Sequence, residues 1–128
     1  MIRLYIANTG HLEWYAGKLT HRDNGPAIIT ETGSQYWYEF GLMHRTDGPA
    51  MIHPNGHQAW YNYGRIHRDN GPAVTEPNGY KVWFKYDKKH RTTGPAVVGK
   101  HIGQDEYWIN GQELTEYEHM FMNEIDYD

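Results

Sequence analysis

The chain contains no cysteine, which excludes disulfides, thiolate zinc sites and cysteine nucleophiles together. It has one serine, Ser34, so a serine-histidine-carboxylate triad has a single position to start from. Long hydrophobic runs are missing as well. No window approaches the roughly 18 apolar residues of a membrane span, and the opening MIRLYIANTGHLEW soon turns polar, unlike a leader peptide. Nor is there an excess of positive charge. With histidine neutral the net charge is -4, so the overall field advertises neither a nucleic-acid nor an anionic-membrane partner. These absences predict a soluble, cytoplasmic, cofactor-free protein, and 128 residues suffice for a single domain.

What is present is unusual. Aromatics make up 15% of the chain, with 11 Tyr and 5 Trp, and there are 14 Gly. Many rings and many turn formers with few long aliphatics point to short strands joined by tight turns. They are also spaced regularly. His21, His44, His67 and His90 stand 23 residues apart, each followed by an arginine: Arg22, Arg45, Arg68 and Arg91. Trp14, Trp37, Trp60 and Trp83 keep the same step, as do Gly10, Gly33, Gly56 and Gly79, and the Gly-Pro-Ala triplets beginning at Gly25, Gly48, Gly71 and Gly94. Such a period marks an array whose units bury their faces against neighbours.

Each unit reads as strand, His-Arg loop, strand, hairpin. Asn-Gly in HPNGHQAW and EPNGYKVW sits between extended runs and predicts a hairpin with positive φ at both central residues. Gly41 and Gly64 mark a second turn, with Asp87 in the same place of the fourth copy. Proline after the His-Arg loop forbids helix before it and can only start a strand, and AIIT, AMIH, AVTE and AVVG follow. Period-two alternation puts Tyr15, Tyr38, Tyr61, Phe84, Tyr36, Phe40, Tyr63, Val82 and Tyr86 on the face opposite the tryptophans. The aromatic face is expected to be the better covered, the Trp face half-solvated.

The predicted architecture is all-β, an elongated antiparallel meander of hairpin repeats with a short C-terminal helix. Residues 1–9 form a cap strand with Ile2, Leu4 and Ile6 on one face, 10–101 four repeats, 102–114 a degenerate fifth, and 115–125 the helix. Thr115 and Glu118 form a capping-box signature. Tyr117, Met120, Phe121 and Ile125 supply a stripe at helical spacing, expected to cover the last sheet edge. Met120, Phe121 and Met122 leave room for a homodimer through the helix.

Repeats reading WYxxGxxHRxxGPAxxxxxG, closed by EYWxNGxxLTxxE, resemble a group of short repeat proteins of bacteria and their phages. These are related in pattern to the membrane-occupation-and-recognition-nexus (MORN) repeat, a β-hairpin unit of the same length. The resemblance covers residues 10 to 118 and implies a meander and a habit of binding partners. The His-Arg-x-x-Gly-Pro-Ala loop replaces a shorter His-Gly-x-Gly turn of the MORN unit, so lipid binding is not carried over.

Two readings are open for the His-Arg column. In the first, arginine donors hold turn carbonyls or Asp23, Asp47 and Asp69, and histidine bonds a backbone group across the turn. In the second, His21, Arg22, His44, Arg45, His67, Arg68, His90 and Arg91 form a positive strip for phosphate or carboxylate. Metal binding by successive histidines is disfavoured by geometry. Equivalent residues two strand spacings apart lie about 9–10 Å from each other, whereas zinc holds its ligands at about 2 Å. Trp14, Trp37, Trp60 and Trp83 either stack bases or cover a thin sheet beside Ile28, Met51, Val74 and Val97. No catalytic cluster is legible, and near-equivalent repeats argue against an enzyme. The expected function is non-enzymatic protein binding; an inhibitor of a host enzyme or defence factor, acting in the host cytoplasm if phage-encoded, fits a small acidic chain. The alternative is capture of a nucleotide, nucleic acid or other phosphate ligand by the His-Arg edge.

Overall fold

The computed structural model describes residues 1–99 and 103–122. One antiparallel ladder runs through it, in chain order: Ile2–Ile6, Leu12–Ala16, Ile28–Ile29, Gln35–Tyr36, Met51–Ile52, Gln58–Ala59, Val74–Thr75, Lys81–Val82 and Val97–Val98. Every neighbour in sequence is a neighbour in space, so the fold is a linear meander with one short helix, Glu116–Met122.

A second set of hairpins branches from the ladder. Leu19–Thr20 pairs back onto Leu12–Ala16; Tyr38–Glu39 pairs with Leu42–Met43, Tyr61–Asn62 with Arg65–Ile66, and Phe84–Lys85 with Lys88–Lys89. The branch point is tryptophan. The Trp37 amide donates to the Ala50 carbonyl at 2.7 Å, while its own carbonyl accepts the His44 amide at 3.0 Å. Trp60 and Trp83 make the same exchange, so the chain leaves the ladder at each indole and enters the side hairpin. The inside of this corner has room only for a methyl group. Ala27, Ala50, Ala73 and Ala96 are completely buried, and with Ala59, Val82, Val97 and Ile109 they make up the buried apolar core of the described residues. Successive side hairpins are tied by backbone bonds, Gly41 N–H to the Thr20 carbonyl at 2.8 Å and Gly64 N–H to that of Met43 at 2.7 Å.

The Asn-Gly turns depart from the expectation of positive φ at both central residues. The Asn-Gly segments close three-residue loops in which only the glycine has positive φ, 100° at Gly56 and 93° at Gly79. There the Gly56 amide donates to the His53 carbonyl and the His53 amide to that of His57, a turn followed by a glycine bulge. The two-residue turns with positive φ at both positions lie at the side-hairpin tips: Phe40-Gly41 (46° and 85°), Tyr63-Gly64 (43° and 85°) and Tyr86-Asp87 (44° and 69°). A bulky ring in that conformation is uncommon. It also departs from the expected covering at the tips, where Phe40, Tyr63 and Tyr86 are 58, 53 and 45% exposed, although Val82 of the same face is buried and the tryptophans are half-buried as expected.

The ends also differ in detail. The capping box forms, with Glu118 N–H donating to Thr115 Oγ1 at 3.1 Å and Thr115 N–H to Glu118 Oε1 at 2.9 Å. Yet the predicted stripe does not face the sheet. Tyr117, Met120 and Phe121 are exposed, and the buried helix residue is His119. His119 turns inward because the last repeat needs a donor: its Nε2–H donates to the Arg91 carbonyl at 2.7 Å while its ring packs on Tyr107. Ile125 lies outside the described residues. The opening strand pairs along its full length with Leu12–Ala16, leaving Leu4 and Ile6 exposed. Among the described residues no helix is long and apolar enough to cross a membrane.

Candidate functional site

The His-Arg loops line up along one side of the array, and each side chain has a repeated set of partners. The guanidinium carbons of Arg22, Arg45 and Arg68 lie 4.0 Å from the ring centroids of Trp14, Trp37 and Trp60, and that of Arg91 lies 3.8 Å from Trp83. Each arginine also donates one Nη1–H back to the proline carbonyl four residues on, at 3.1–3.2 Å. The guanidinium lies between the indole and the glycine before that proline. A Cβ on Gly48 would stand 2.7 Å from Arg45 Cζ, and one on Gly25 3.0 Å from Arg22 Cζ. At Gly25, Gly48 and Gly94, where φ is not positive, a Cβ would press on the guanidinium, so glycine leaves room for the stack. Cation–π contact of this kind contributes roughly 0.5–2 kcal/mol. The Trp and Arg columns are thus one column of stacked pairs.

Histidine links units. The amides of Phe40, Tyr63, Tyr86 and Asn110 donate to Nδ1 of His21, His44, His67 and His90 at 3.0–3.2 Å. Because Nδ1 accepts, the proton of the neutral ring sits on Nε2. In His21 and His67 that Nε2–H donates to Asp23 and Asp69 at 2.7 Å. Sequence reasoning assigned these two aspartates to the arginines; only Asp47 takes that place, 3.0 Å from Arg45 Nε. The rings of Phe40, Tyr63 and Tyr86 stack on the same imidazoles with centroids 3.7–4.1 Å apart. A histidine from one unit thereby holds the strained turn of the next by both an edge and a face.

Between successive loops run grooves of similar shape and different charge. The groove between the first and second loops, about 660 Å³, is lined by Arg22 and Arg45 against Asp23, Glu39 and Asp47. That between the second and third, about 430 Å³, holds Arg45 and Arg68 against Asp69, with Asn62 where Glu39 was. That between the third and fourth, about 530 Å³, presents Arg68, Lys85 and Arg91 against Asp69. The grooves differ at the register position occupied in turn by Glu39, Asn62 and Lys85, and in their loop carboxylates: Asp23 and Asp47 in the first, Asp69 in the other two. The uniform positive strip expected from the column is therefore absent: the edge runs from acidic to basic. Tyr38 and Tyr61, which line the first and second grooves, have their phenols pushed up by burial and remain neutral hydroxyls.

The ladder hairpin turns of successive units carry a second set of links. Ser34 Oγ lies 2.8 Å from His53 Nδ1, and His57 Nδ1 meets the Glu76 carboxylate, both across units. Ser34 is 8% exposed, and among the described residues the histidine touching it has no carboxylate partner. Among the described residues no group of three His, Cys, Asp or Glu side chains converges as a metal site would require.

Residues missed by sequence reasoning are Phe40, Tyr63 and Tyr86 as an exposed row, and Glu39, Asn62 and Lys85 as the variable position. The signal for the second lay in plain view, since it is the position where the units change charge. No protein-family model, no curated protein and no solved structure matches this chain. The likeness to the MORN-type repeat accordingly rests on the motif itself.

Proposed function

We propose that the chain is a non-enzymatic module that binds a protein partner through the row of side-hairpin tips. One observation carries the reading. Leu19, Phe40, Leu42, Tyr63 and Tyr86 are each 45–58% exposed, and all sit at or beside successive tips. Scattered exposed apolar residues need no explanation, but a contiguous row does. Three of these side chains are rings immobilised on buried imidazoles, so little side-chain entropy is lost when a partner covers them. The His-Arg column supports this role indirectly by holding the tips in place. A narrower form, inhibition of a host enzyme or defence factor, rests on the motif resemblance alone.

The test replaces the rings while keeping the turn. Asn110 occupies the same position in the last hairpin with φ of 47°, so Phe40→Asn, Tyr63→Asn and Tyr86→Asn suit the backbone. The protein partner captured by the wild-type chain should be lost by the triple variant, with circular dichroism unchanged. A folded triple variant that keeps the partner, or a wild type that captures none, sinks the reading.

A further inference from the structure

The groove between the third and fourth His-Arg loops differs chemically from its siblings, and we infer that it binds a small molecule bearing linked phosphoryl groups. Arg68 and Arg91 stand at opposite walls with Lys85 on the strand between, and Asn70, Thr92 and Thr93 add neutral hydrogen-bonding groups. The carboxylate present, Asp69, already accepts the Nε2–H of His67. Neither Arg68, Lys85 nor Arg91 is in an ion pair among the described residues. Three cations thus face one carboxylate in this groove, on a chain of net charge -4.

The arginines are also prepared for an anion. Each has its plane fixed on an indole and one Nη1 fixed on a proline carbonyl, leaving further N–H groups on a rigid fork. Pre-organisation lowers the ordering cost of binding. The repeat geometry selects the ligand. Equivalent residues of adjacent units lie about 9–10 Å apart, too far for one phosphate to be gripped closely by both arginines but suited to a diphosphate with Lys85 at its centre. A long nucleic acid is disfavoured by the same array, because a strand continuing along the edge would reach the first groove and its Asp23, Glu39 and Asp47.

The sibling units supply substitutions that the fold already tolerates. Lys85→Glu gives the third groove the carboxylate of the first, and Glu39→Lys does the reverse. Isothermal titration with inorganic pyrophosphate, inorganic phosphate and a nucleoside diphosphate should show saturable binding of pyrophosphate, tighter than that of phosphate. Affinity should fall about tenfold or more in the Lys85→Glu variant, and Glu39→Lys should add a second, weaker site. Equal affinity for the nucleoside diphosphate and pyrophosphate would place recognition in the phosphoryl groups; tighter binding of the former would add a contact to the nucleoside. Absence of pyrophosphate binding, retention of wild-type affinity in a folded Lys85→Glu variant, or tighter binding of a single-stranded oligonucleotide than of either diphosphate overturns the inference.

Discussion

The backbone amide of Tyr86 donates to Nδ1 of His67 at 3.2 Å while its phenol ring lies on the same imidazole, centroids 3.9 Å apart and 14° from parallel. The two residues are 19 apart in sequence and belong to successive units. Tyr86 has φ of 44°, a conformation that costs an L-residue roughly 1–2 kcal/mol. The histidine offsets that cost with a hydrogen bond and a stacking surface, so this pair adds side-chain coupling to the backbone links between units.

Replacing His67 by alanine should therefore destabilise the array by about 2–4 kcal/mol, since it removes a buried ring and leaves the Tyr86 amide without its acceptor. His67→Asn, which restores an acceptor oxygen near Nδ1 without the stacking surface, should recover part of the loss. Urea denaturation of the two variants reads this directly. Equal stability of wild type and His67→Ala would remove the histidine from the account of inter-unit coupling.

Two glycines should respond for different reasons. Gly48→Ala places a methyl group 2.7 Å from Arg45 Cζ and should lift the guanidinium from Trp37, at a cost of about 1–3 kcal/mol. Gly79→Ala meets nothing within 4 Å but has φ of 93°, so its cost of about 1–2 kcal/mol is conformational. The Trp fluorescence spectrum should shift in Gly48→Ala alone. A shift in both variants would show that the loop glycine is not a spacing requirement for the stack.

The Arg68 and Trp60 pair should show coupling in a double-mutant cycle. With the guanidinium 4.0 Å from the ring centroid, the interaction energy between Arg68→Ala and Trp60→Leu should be about 0.5–2 kcal/mol. Additivity within error would mean that the contact is geometric only.

At the C-terminal helix the expected pH response has a definite sign. Hydrogen bonds from the Thr115 backbone and side chain hold the Glu118 carboxyl below its ordinary value of 4.5. A depressed carboxyl contributes stability above its unfolded value, and that contribution is lost as pH falls through the lower folded value. The helix should thus keep its cap above pH 4.5 and lose it only as pH falls through the lower folded value. Thr115→Ala should fray it at neutral pH, costing about 0.5–2 kcal/mol of helix stability. Amide exchange of residues 117–119 followed against pH checks both; a helix equally protected at pH 3 and pH 6 would contradict the first.

Much of the fold was legible because it is local and periodic. The 23-residue step, the strand-starting prolines and the Thr115-Glu118 cap each depend on neighbours a few residues away. The conformation of the Asn-Gly turns was not legible for a related reason. Asn-Gly favours a two-residue turn when considered alone, but the register of the ladder pairs His53 with His57 and leaves three residues in the loop. The tight turns then fell to Phe40, Tyr63 and Tyr86, whose unfavourable conformation is made tolerable only by imidazoles from the preceding units.

By itself the sequence determined that like residues recur in rows, because a constant chain length per unit puts equivalent atoms in register whatever their contacts. Only the tertiary structure decided what each row touches. Arg68 and Trp60 are eight positions apart on the chain, yet they form one stack because the corner at the indole brings the loop back over it. Glu39 and Lys85 occupy the same register position, yet one shares its groove with Asp23 and Asp47 and the other with Arg68 and Arg91. The physical reason is that the sign of a groove is a sum over two neighbouring units, a quantity that no single copy of the repeat contains.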